Sequence, residues 1–129
     1  MRSLLILFFM MIVVSAQTLS WRGEYDKAHQ KALNLHKPLL VLVVKTDDIY
    51  THEVLRTVFT DQPYIKTLNE KVVSVMVSYE GEMAYPVELY YATRLPALFL
   101  VDEKELFLTK PLYAEEITAE HVQSWLKRF

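Results

Sequence analysis

Residues 39–44 read Leu-Leu-Val-Leu-Val-Val, six aliphatic side chains in an unbroken row. In an extended strand successive side chains point to opposite faces, so such a row is stable only where both faces are covered. That requirement excludes a sheet with one wet face and calls for helical layers on either side of a central strand. The flanking sequence supplies a cover. Over residues 21–36, Trp21, Tyr25, Ala28, Ala32 and Leu35 fall at helical spacing. Lys37-Pro38 ends this predicted helix, because the residue before proline is pushed toward extended geometry.

Beyond the row, Asp47 and Asp48 are candidate N-caps, since a carboxylate accepts from the free amides of a first helical turn. Val54, Leu55, Val58 and Phe59 form the apolar stripe of the helix behind them. Asp61 is a second candidate cap, with Pro63 tolerated in the first turn and Ile65 and Leu68 facing inward. Residues 72–79 read as a buried strand, and Pro86 opens a predicted short helix carrying Val87, Leu89, Tyr90 and Tyr91. Residues 97–101 read as a strand, 102–104 as a turn and 106–109 as a partner strand. A last helix begins near Thr118, with Val122, Trp125, Leu126 and Phe129 on one side. This order predicts an α/β fold, a central mixed sheet of about four strands flanked by helices. Right-handed crossovers join its parallel strands and a hairpin closes it.

Arg2 followed by eleven apolar residues, 4–14, and then Ser15 and Ala16 reads as an export signal cleaved after Ala16. Eleven helical residues span only about 17 Å, short of a ~30 Å hydrocarbon core. The expected organisation is a signal peptide at 1–16 and one domain at 17–129, exported to a periplasm or secreted. Membrane contact is expected only through the N-terminal segment, if it is uncleaved. The formal net charge of −2, without a block of like charges, gives no basic face for a phosphate backbone, so no nucleic-acid partner is expected. The chain contains no cysteine. Export permits disulfides, yet stability here must come from packing, and thiol nucleophiles, mixed disulfides and thiolate metal ligands are all excluded. A protein or peptide partner, or a small ligand, is the expected target, and no cofactor is expected.

Four segments stand out: Trp21, Tyr25, Ala28 and Ala32 leading into His36-Lys37-Pro38-Leu39-Leu40-Val41, then Thr57-Val58-Phe59-Thr60-Asp61, Leu68-Asn69, and Leu95-Pro96-Ala97-Leu98-Phe99-Leu100-Val101-Asp102. Their order and spacing together resemble exported thioredoxin-like domains across nearly all of residues 17–129. The resemblance implies a thioredoxin-like sheet with an extra N-terminal helix, and it implies that Pro96 is the family's cis-proline beside the active site. It also places the Cys-x-x-Cys position on Asp48-Ile49-Tyr50-Thr51 and the family's buried acid on Leu42. With Asp48 and Thr51 where the cysteines would stand, thiol–disulfide oxidoreductase activity does not carry over, and no catalytic residue is assigned. What remains implied is a partner-binding surface of Asp48, Ile49, Tyr50, Thr51, Leu95 and Pro96, suited to a chaperone-like or assembly role.

The residues themselves offer a second reading. Asp47, Asp48, His52 and Glu53 are the densest polar cluster, and imidazole and carboxylates ligate zinc. A metal-binding protein or metal-assisted enzyme using Asp47, Asp48 and His52 is therefore the alternative. Against it, the cluster lacks the His-Glu-x-x-His order, and a capping aspartate beside an exposed histidine accounts for it. His29 and His36 share a side of the leading helix without a third ligand. Asp48 and Thr51 as acid and nucleophile would lack a base and an oxyanion hole. Tyr85, Tyr90 and Tyr91 are aromatic enough to anchor a partner or to pack a helix.

Overall fold

The computed structural model describes residues 17–81 and 84–128, so the expected signal segment and Phe129 lie outside the described residues. Five strands form one sheet: β1 (Trp21–Arg22), β2 (Leu39–Val44), β3 (Val73–Ser78), β4 (Ala97–Val101) and β5 (Leu112–Tyr113), in the order β1-β3-β2-β4-β5. β1 and β2 both run parallel to β3, while β4 is antiparallel to β2 and β5 antiparallel to β4. Four α-helices cover the sheet: α1 (Tyr25–Leu35), α2 (Ile49–Val58), α3 (Ile65–Lys71) and α4 (Ala119–Leu126).

The row 39–44 is β2, the middle strand, and all six residues are buried. Its pleat sorts the core into two layers. Leu40 and Leu42, with Leu98 and Leu100 of β4, meet Val54 and Val58 of α2, Ile65 of α3, and Val122 and Trp125 of α4. Leu39, Val41 and Val43, with Val75 and Phe99, meet Tyr25, Ala28 and Ala32 of α1. The two alanines are fully buried, which lets the α1 backbone approach the sheet closely.

Sequence and structure differ at four places. Trp21 and Arg22 form an edge strand instead of the first helical turn, because they pair with Ser74 and Val75 of β3. Asp61 does not cap α3. It adopts φ 56° and its Oδ1 accepts the Gln17 amide at 3.0 Å, while Tyr64 occupies the N-cap position. Residues 86–91 make one turn only, in which the Leu89 and Tyr90 amides both bond the Pro86 carbonyl. Residues 106–109 pair with β4 through one isolated bridge, Val101 to Phe107, instead of a strand. Pro111, which lacks an amide hydrogen, stands between that bridge and the true partner strand, β5.

A chain of polar contacts ties α1 to the loops beneath it. The Tyr25 hydroxyl donates to Glu105 Oε2 at 2.6 Å and lies 2.5 Å from the Tyr90 hydroxyl. Burial first, and then the bond to Glu105, push the Tyr25 hydroxyl's pKa upward. Tyr25 therefore stays protonated and donates to Glu105, leaving Tyr90 to donate to Tyr25. His29 adds an Nε2 contact to the Glu103 carbonyl at 2.7 Å. Tyr25→Phe leaves the buried Tyr90 hydroxyl without its acceptor and should lower the unfolding free energy by about 1–3 kcal/mol. Urea denaturation checks this, and an unchanged midpoint would show that the chain of hydroxyls adds nothing.

Candidate partner-binding site

β2 and β3 are parallel and end at the same edge of the sheet, where an open α/β sheet leaves room for a ligand. Val43 pairs with Ala97, so Pro96 enters the sheet at this edge, beside the end of β2 from which the chain passes to α2. Asp48 caps α2. Its Oδ1 accepts the Tyr50 amide at 3.3 Å and its Oδ2 the Thr51 hydroxyl at 3.4 Å. Thr51 is buried, whereas Ile49 and Tyr50 are 73% and 69% exposed. The Leu95–Pro96 bond is cis. The Leu42 side chain is fully buried in the core, leaving no acid at that position.

Glu80 anchors the loop that carries Asp48. Its carboxylate accepts from the Ser78 hydroxyl, from the Thr46 hydroxyl at 2.9 Å and from the Thr46 amide at 3.1 Å. The Ser78 hydrogen bond leads the contributions that hold this carboxyl well below its ordinary range, at about 2. The Tyr79 amide adds a bond to the Val44 carbonyl at 2.7 Å, so the ends of β2 and β3 are joined just below the site.

Two hollows flank Tyr50 and Leu95, which line both. One, of about 590 Å³, is walled by Lys45, Asp48, Tyr79 and Tyr91 as well. The other, of about 480 Å³, has Val54, Pro96 and Ile117 on its walls and the Arg94–Glu115 ion pair at its rim. The Glu115 carboxyl is lowered by its own backbone amide and by Arg94. Among the described residues, the backbone amide and carbonyl of Leu95 have no hydrogen-bond partner.

Four of the six expected surface residues, Asp48, Tyr50, Leu95 and Pro96, therefore line the hollows. Thr51 supports them from beneath, and Ile49 projects beside them without forming either wall. Sequence reasoning missed Lys45 and Tyr79, which reach the site only because β2 and β3 end side by side. Tyr91 was visible as an aromatic anchor, but its location was not. Tyr85 and Tyr90 are core residues.

The metal reading finds no support here. Among the described residues, no group of three or more histidine, cysteine, aspartate or glutamate side chains is placed to hold a metal ion. Asp47 has a φ of 57° and is exposed, as is His52 on α2. His36 ends α1 in a left-handed conformation, apart from the His29 contact to Glu103.

Sheet order, the cis proline opening β4 and the helix rising from the end of β2 define a thioredoxin fold without the cysteines of its redox-active members. Solved structures agree. The DsbH oxidoreductase matches with a TM-score of 0.68 at 16% identity, covering 91% of this chain and 90% of that one. Trxlp from Edwardsiella tarda matches at 0.60 and 14% identity, covering 83% of this chain and 98% of its own. Trichomonas vaginalis thioredoxin matches at 0.52 and 15% identity, covering 89% and 99%. No protein-family model and no curated protein matches the sequence.

The Glu80 anchor has a pH signature. Its folded pKa of about 2 lies below its ordinary value of 4.5, so its contribution to stability is complete above 4.5 and fades as pH falls toward 2. Glu80→Gln should therefore flatten the loss of stability between those two pH values. Thermal unfolding of both proteins across that range measures it, and parallel curves would remove Glu80 from the account.

Proposed function

We propose that this chain is a redox-inactive, exported binding module that captures an extended segment of a protein partner, in a chaperone-like or assembly role. The observation that carries this reading is the convergence of exposed aromatic surface. Tyr50, Tyr79 and Tyr91 are the tyrosines among the exposed large hydrophobic side chains, and all three line one hollow. Exposed tyrosine rings combine large contact area with a hydroxyl that tolerates water, which suits a surface that is alternately wet and covered. Beside them the free amide and carbonyl of Leu95 offer a partner backbone the two hydrogen bonds of one strand residue. The hollow walled by Val54, Pro96 and Ile117 accepts an apolar side chain. Export is read from the apolar segment 4–14 and the Ser15-Ala16 step that follows it.

Two outcomes are expected. With no thiol in the chain, the purified protein should neither reduce insulin disulfides nor oxidise dithiols, and activity retained after exhaustive purification would overturn the redox-inactive assignment. A photo-crosslinking residue at position 91, on the wall of the same hollow, should capture a partner in the native compartment, and one at Leu106, beyond the far end of β4, should not. Tyr50→Asp with Leu95→Asp should abolish capture while circular dichroism stays unchanged. Capture that persists in this variant, or that occurs equally from position 106, would place the interface elsewhere.

A further inference from the structure

At the opposite end of the sheet, where β1 and β3 begin and α1 stops, lies a separate hollow of about 410 Å³. Arg22 of β1, Lys31 of α1 and Lys37 just beyond α1 line it, and no carboxylate does. Among the described residues none of these three cations has an ion-pair partner. Lys31 and Lys37 are half-buried, so water screens their mutual repulsion less than it would at an open surface. Helix ends do not balance them. The C-terminal residues Leu35 of α1 and Asn69 of α3 border the hollow, yet two helix C-termini supply together only about one negative elementary charge against three positive ones.

Ser74 of β3 also borders this hollow, but it pairs with Leu40 and so turns its buried hydroxyl to the sheet face opposite α1, away from the cations. Trp21, held edge-on against Phe59 at 5.1 Å, and Leu35 add apolar wall beside the charges.

We propose that this hollow binds an oxyanion of the phosphate class, either inorganic phosphate or a small phosphomonoester. Arg22 can fork across two oxygens, and Lys31 and Lys37 act as point charges. Trp21 and Leu35 would meet the organic group of an ester.

The test uses protein expressed from the full sequence and follows tryptophan fluorescence and phosphorus line width during titration. The probes are sodium phosphate, phenyl phosphate, and sodium chloride at matched ionic strength. Saturable millimolar binding of the phosphates but not of chloride is expected, and the paired variant Lys31→Gln with Lys37→Gln should weaken it about tenfold. Tighter phenyl phosphate assigns the hollow to an ester, and equal affinities assign it to the free anion. No saturable signal, the same response to chloride, or binding untouched in the lysine variant would overturn the proposal.

Discussion

Leu39 to Val44 sit between α1 on one side and α2 and α4 on the other, none of them more than 9% exposed. The demand that this strand be dry on both faces organises everything around it. Parallel pairing with β3 and antiparallel pairing with β4 give its backbone partners on both edges. Its pleat then dictates which helix supplies which side chain. Large residues from α2, α3 and α4 fill one layer, and the small residues of α1 admit a closer helix on the other. The position of the candidate groove follows from the same pairing, because the ends of β2 and β3 and the start of β4 are brought to one edge.

At that edge, an aspartate and a threonine stand where thiols would give redox chemistry. Asp48 accepts from the first turn of α2 and Thr51 donates back to it, so the pair closes a local hydrogen-bond circuit in place of a covalent bridge. The helix start is thereby secured without any reactive group. A thiol-bearing site can hold a partner through a mixed disulfide. Without a thiol no mixed disulfide can form, and the partner capture proposed for this edge would depend on buried area and backbone pairing. Three exposed tyrosines in one hollow and an unpaired Leu95 backbone are the features such a mode requires.

What was legible in the sequence is what obeys local rules. The aliphatic row announced β2, the spacing of Tyr25, Ala28 and Ala32 announced α1, and the capping chemistry of Asp47 and Asp48 located the start of α2 to within a residue. The resemblance around Leu95-Pro96 located the proline that opens β4 beside the end of β2. What escaped was decided by long-range partners. Trp21 and Arg22 continue a helical pattern in sequence, but an available β3 edge took them into the sheet. Asp61 has the chemistry of a cap and instead receives the Gln17 amide, forty-four residues away. Lys45 and Tyr79 carry no motif, and only the shared end of two parallel strands makes them neighbours. The cationic hollow was invisible for the same reason. Arg22, Lys31 and Lys37 never form a run in the chain, and a net charge of −2 hides a local excess of three.

The two hollowed ends of the sheet differ in kind as well as in place. β3 joins them: Ser74, near its start, borders the cationic hollow, and Ser78, at its end, bonds the Glu80 carboxylate that anchors the Asp48 loop. Four residues of strand separate them by roughly 13 Å, beyond a Debye length at physiological salt, so direct charge interaction between an anion at one end and the groove at the other is weak. Any influence of one on the other would have to pass through β3 itself. That strand is paired on both sides, with β1 and β2, and backs onto the core through Val73, Val75 and Val77, so it has little freedom to shift. The physical expectation is two ends that work independently on one rigid scaffold, one shaped for aromatic and backbone contact, the other for charge.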